Sequence, residues 1–164
     1  MYLQLVMSEQ QQARIALVGP PASGKSTIAE WLRQTHAFCK LTVGDEMRKA
    51  AAADGESNSP VVTDPETRRY LRGVLKSGGL LPDSVVTGII HSRINSRECA
   101  KGFVLDGFPR NIGQAKELDR LLQAKDGRGL DDVVSLDVND RMMLAERMAG
   151  RLVHASSGRT YHVR

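Results

Sequence analysis

Little in this chain of 164 residues invites a large partner. Aromatic side chains make up only 4% of it, and none interleave with arginines as a surface that stacks on single-stranded nucleic acid requires. Charge of one sign is equally scarce: 23 Lys and Arg against 19 Asp and Glu leave a net +4 with no dense basic tract. That balance suits a small polyanion and gives no reason to expect nucleic acid. There are two cysteines, Cys39 and Cys99, with neither metal-ligand spacing nor a secretory signal beside them. They read as two buried thiols in a reducing setting. Long apolar runs are missing too. Residues Met1 to Gln12 carry no basic side chain and no apolar stretch long enough for a signal peptide or a membrane span, so they read as a mobile extension. The expectation from these absences is a soluble, cytoplasmic monomer. A chain this long buries one sizeable core with at most a small insertion.

What the chain does have is the run Gly19-Pro20-Pro21-Ala22-Ser23-Gly24-Lys25-Ser26-Thr27 after the apolar stretch Ala13 to Val18. Two glycines separated by four residues and followed by Lys-Ser fit a strand that turns tightly into a helix, with successive backbone N–H groups wrapped around phosphates. Lys25 would reach the β and γ phosphates of a nucleotide and the Ser26 hydroxyl would sit on Mg²⁺. The dipole of the following helix adds positive potential at the same point. Gly19, Pro20, Ala22, Ser23, Gly24, Lys25, Ser26 and Thr27 are therefore the candidate triphosphate contacts.

Downstream, apolar spacing at Ile28, Trp31 and Leu32 predicts an amphipathic helix ending near His36. Phe38 to Val43 predicts a strand, with a turn at Gly44 and a helix from Asp45 to Asp54. A polar loop over 55–64 precedes a helix opened by Asp64-Pro65, and a further helix opens at Pro82-Asp83. The cluster Arg68, Arg69 and Arg72 reads as a solvated face. Gly102 to Asp106 is an apolar strand ending in a carboxylate, as at the crevice of a parallel sheet. Asn111 to Lys125 predicts a helix, Asp132 to Asp137 a strand, and Asp140 to Gly150 a helix. The alternation implies an α/β fold, a parallel sheet covered on both faces. Residues 153–163 read as a hairpin with a Ser-Ser-Gly turn. Arg147 and Arg151, at i and i+4, share one helix face.

With Phe103-Val104-Leu105-Asp106-Gly107-Phe108-Pro109-Arg110 and Gly150-Arg151-Leu152-Val153-His154 added to the phosphate loop, residues 13 to 164 resemble the adenylate kinase family of nucleoside monophosphate kinases. The resemblance implies a P-loop kinase core over 13–149, a helical acceptor segment at about 44–81 and the start of a lid at 150–164. It implies ATP as donor and Mg²⁺ held by Ser26 and Asp106, mostly through water. Lys25, Arg110, Arg151 and Asp106 then carry the phosphoryl transfer. Arg147 stacks on the donor adenine, and Arg151 touches the moving phosphates. Arg110 and Arg48 meet the phosphate of AMP, while Val43, Gly44, Leu81, Gly107 and Gln114 lie around its base. Val43 departs from the family, which usually places threonine there. His154 and Ser157 lack the cysteine pairs of zinc-bearing lids, so no zinc is expected.

The implied reaction is reversible transfer between Mg-ATP and AMP, giving two ADP. Two alternatives stand beside it: another monophosphate kinase, of the UMP/CMP or GTP:AMP type, and a nucleotide-binding fragment without turnover. In the family the lid continues and a last strand and helix follow. The sequence as written thus predicts an incomplete lid, an unpaired sheet edge and poor catalysis.

Overall fold

The structure is a computed structural model that describes residues 12–52, 65–77, 79, 81–154 and 160–163. Residues 1–11 of the expected N-terminal extension, the expected helix end at 53–54, the loop over 55–64 and the Ser-Ser-Gly turn lie outside those residues. Four parallel strands form the sheet: β1 (Ala13–Val18), β2 (Cys39–Thr42), β3 (Gly102–Asp106) and β4 (Asp132–Ser135), in spatial order β2-β3-β1-β4. The order reverses direction beside β1. That is where an open α/β sheet leaves a crevice at its carboxyl edge.

Alternating side chains divide the interior in two. Ala16, Leu41, Phe103 and Leu105 face one cluster, which they share with Met47 of α2 (Val43–Ala52), Leu71 of α3 (Pro65–Ser77), Ile89 and Ile90 of α4 (Asp83–Ile94), and Leu118 and Leu122 of α5 (Ile112–Asp126). Leu17 and Val104 face the other way, onto Ile28, Ala29 and Leu32 of α1 (Lys25–His36). Full burial of each large aliphatic side chain stabilises the fold by roughly 1.5–3 kcal/mol. Asn111 and Asp140 cap α5 and α6 (Arg141–Ala149), their side chains accepting from the backbone N–H of Gln114 and Met143. A short antiparallel pair, β5 (Arg151–Val153) with β6 (Thr160–His162), follows. A Cβ at Gly150 would sit 2.9 Å from the Val163 carbonyl oxygen and against the His162 ring, so a larger residue there would push the hairpin away.

Several expectations are corrected. Helix α2 starts at Val43, directly off β2, with no separate turn at Gly44. Val43 is buried in the larger cluster, and Asp45 and Glu46 suit the positive end of the helix. Helices do cover both faces of the sheet at β1 and β3, while all four residues of β4 are exposed. Arg72 is not merely solvated, since its Nε donates to the Ala51 carbonyl at 2.7 Å and ties α3 to α2. Cys39 and Cys99 are not two thiols but one disulfide with 4.8 Å between Cα atoms. Cys39 opens β2 opposite Phe103, and Cys99 ends a short 3₁₀ turn (Arg97–Cys99) just before β3, so strand pairing brings together residues 60 apart in sequence.

Candidate functional site

The phosphate-binding run occupies the reversal point of the sheet. β3 and β4 are both locked onto the end of β1: Gly107 N–H donates to Leu17 at 3.1 Å and Leu136 N–H to Val18 at 2.9 Å. Between those anchors the chain turns through Gly19 at φ +140°, where any Cβ would overlap the Leu136 carbonyl. Gly24, at φ +98°, starts α1, and its carbonyl accepts from Thr27 and Ile28. Both glycines are demanded by geometry.

Lys25 folds back over its own loop. Its Nζ donates to the carbonyls of Gly19 (2.9 Å) and Pro20 (2.6 Å) and to Ser23 Oγ (3.3 Å). Burial pushes its pKa below the ordinary lysine value; Asp106 pulls it up, and Arg110 and Arg151 push it down. Ser26 Oγ donates to Asp106 Oδ2 at 2.6 Å, across 80 residues of sequence. Asp106 is buried at the end of β3. This hydroxyl and carboxylate are hard oxygen donors without a competing sulfur or imidazole, and they fit Mg²⁺.

These groups open into a cleft of about 1480 Å³. Lys25, Lys40, Arg110, Arg147 and Arg151 line it against Glu30 and Asp106, an excess of positive charge suited to a polyphosphate. Arg147 also reaches back to the Ala22 carbonyl at 3.5 Å, and Arg110 Nε donates to the Gly107 carbonyl at 3.0 Å. Of the expected donor and transfer residues, all but Pro20 line this cleft.

The expected acceptor residues are divided. Gly44, Gly107 and Arg110 line the same cleft, while Val43, Arg48, Leu81 and Gln114 do not. Val43 packs in the core with Leu81 against the same cluster. Arg48 is half exposed and ion-paired with Asp45. Gln114 is buried, its Oε1 accepting from Arg110 N–H at 2.8 Å and its Nε2 donating to Asp83 Oδ1 at 2.6 Å.

The cleft also holds residues that sequence reasoning missed. Trp31 was expected on the buried face of α1, yet it is 57% exposed and lines the cleft with Thr27, Glu30 and Gln34. That set, i, i+3, i+4 and i+7, is a helix face of its own, so periodicity had a second solution. Lys40 and Thr42 share one face of β2 through its two-residue alternation, and Lys40 Nζ donates to the Ser26 carbonyl at 3.3 Å. That alternation was readable, but nothing local marked the face as functional. Tyr161 and His162 of the hairpin complete the wall.

Among the described residues no helix is long and apolar enough to cross a membrane. The family model for adenylate kinase matches residues 17–159. An adenylate kinase of Aspergillus terreus is 37% identical over 153 residues, covering 93% of this chain and 55% of the relative. One from Laccaria bicolor is 38% identical over 153 residues, with the same coverage, and adenylate kinase 4 of Arabidopsis thaliana is 36% identical over 160 residues, 98% of this chain and 60% of the relative. The chain thus spans somewhat more than half the length of these relatives. With its phosphate loop, strand-end carboxylate and cationic cleft in one place, and with matches across nearly its whole length, the chain belongs to the adenylate kinase family.

Proposed function

We propose that this chain carries the catalytic core of a reversible phosphotransferase that moves the γ-phosphoryl group of Mg-ATP to AMP, giving two ADP. The observation that supports it most is the Ser26–Asp106 hydrogen bond, set in a cleft that Lys25, Arg110, Arg147 and Arg151 also line. In this reading the donor phosphates replace the loop carbonyls and Ser23 as partners of Lys25. Mg²⁺ held near Ser26 and Asp106 supplies charge neutralisation at the donor phosphates. Arg147 faces the donor base, and Arg151 and Arg110 flank the transferring group, a role that suits a planar, permanently charged guanidinium. The acceptor phosphate is already ionised at neutral pH, so no general base is needed. Rate enhancement rests on positioning and on charge stabilisation.

On the acceptor side, Arg48 exchanges its exposed carboxylate partner Asp45 for the AMP phosphate, and Gly44, Leu81, Gly107 and Gln114 surround the base. The kinase core is residues 13–149, with 44–81 as the acceptor segment and 150–164 as lid. Val43 offers the base no hydrogen bond, so Gln114 carries the polar discrimination. A coupled assay of ADP formation with Mg-ATP and each of AMP, GMP, UMP and CMP tests the reading. AMP is expected to turn over fastest. UMP or CMP outrunning it would overturn AMP as the acceptor.

A further inference from the structure

We infer that Asp83 is a positioning residue for base selection, fixing which end of the Gln114 amide presents oxygen and which presents nitrogen to the acceptor base. The inference rests on the placement of Gln114 beside that base proposed above.

A glutamine amide is nearly symmetric in shape and opposite in chemistry at its two ends, so unless its neighbours decide, it can rotate by half a turn. Here two neighbours decide, and they agree. The backbone N–H of Arg110 is a donor only, and it holds the Gln114 carbonyl at 2.8 Å. The Asp83 carboxylate, when ionised, is an acceptor only, and it holds the Gln114 NH₂ at 2.6 Å. Asp83 is itself held, since its other oxygen accepts from Asn111 Nδ2 at 2.9 Å. Asn111 in turn is fixed as the cap of α5, its side-chain oxygen accepting from Gln114 N–H at 2.8 Å. The ring of contacts joins the start of α4 to the start of α5. A half-turn of the amide would set carbonyl against carboxylate and NH₂ against N–H, losing both bonds.

Each end of the amide keeps one unused valence, one N–H and one lone pair. That pair matches adenine, which shows an amino donor beside a ring-nitrogen acceptor. Guanine carries a carbonyl oxygen where adenine has the amino group: on the N1 edge it requires the reversed amide, and on the N7 edge it shows two acceptors that neither orientation satisfies. By holding the amide in one sense, Asp83 favours AMP over GMP without touching either. Hydrogen bonds from Gln114 and then Asn111 hold the Asp83 pKa below the ordinary aspartate value. The folded value being depressed, the ionised acceptor is present above the ordinary range and is lost only as pH falls through the lowered one. The preference is therefore flat between about pH 5 and 8.

The test measures dissociation constants of AMP, GMP, UMP, CMP and Mg-ATP by calorimetry for the parent chain, Asp83→Ala and Asp83→Ser. Serine keeps a short polar side chain in the first turn of α4 but is one bond shorter than aspartate; both variants lose the favourable first-turn charge, so thermal melts beside the binding measurements separate positioning from support of α4. Both variants are expected to weaken AMP about tenfold, leave Mg-ATP unchanged and lower the AMP-to-GMP preference by about tenfold, one hydrogen bond to a charged group. A preference within twofold of the parent in both variants, or equal weakening of AMP and GMP, overturns the role of Asp83 and leaves the acceptor reading intact. A parent chain that binds UMP or CMP but not AMP overturns both.

Discussion

The two strands beside β1 pair with it in the same parallel sense and differ in nearly everything else. All five residues of β3 are buried, its faces are packed by α1 on one side and the larger cluster on the other, and it ends at Asp106, with Gly107 and Arg110 just beyond. All four residues of β4 are exposed, Val133 at 61%. What this flank brings to the site is the carbonyl of Leu136, the residue just after β4, against which Gly19 turns. One flank therefore supplies chemical groups on a rigid base. The other supplies a fence. Preorganised charge stabilisation needs the former, because a carboxylate that moved with a loose strand would lose its hold on Ser26.

The largest expected difference concerns the clamp on the buried flank. Reducing the Cys39–Cys99 disulfide with a dithiol releases a loop of 60 residues and is expected to lower unfolding stability by roughly 4 kcal/mol in denaturant melts. Reduction that leaves the denaturation midpoint unmoved would contradict the view of that flank as clamped. Asp106→Asn removes the charge but keeps the shape at the end of β3; turnover with Mg-ATP is expected to fall about 10²–10³-fold, with the melting temperature nearly unchanged. Gly19→Ala attacks the fence, and strain at positive φ together with the Leu136 overlap should cost about 3 kcal/mol and weaken Mg-ATP binding. A matched pair sharpens the contrast: Val104→Ala is expected to cost about 2 kcal/mol, Val133→Ala under about 0.5 kcal/mol. Equal losses would mean that β4 is covered in solution.

The same contrast explains how much could be read from the sequence. The phosphate loop and the β3 motif were legible because their chemistry is local: Gly19, Gly24, Lys25 and Ser26 lie within one turn, and Asp106 closes an unbroken apolar run. Helices α3 to α6 followed from Pro65, Pro82, Asn111 and Asp140 at their starts. What stayed hidden depends on residues far apart in sequence. The disulfide needed the β2–β3 register, and the tie between Gln114 and Asp83 needed two helix starts brought together. Trp31 fitted two helical faces, and apolar spacing alone chose the buried one. Val133 and Val134 carry a core strand's composition on an exposed edge, and no local rule distinguishes the two.

The most direct test follows the phosphoryl group itself. The chain is incubated with AMP, Mg²⁺ and ATP labelled in its γ-phosphate, and the label is traced by chromatography in parallel with Lys25→Ala. The expected result is label in ADP formed from AMP, reduced about 10²–10³-fold by the substitution. Label released only as inorganic phosphate, or ADP labelling that Lys25→Ala leaves unchanged, would contradict a transfer site built on this loop.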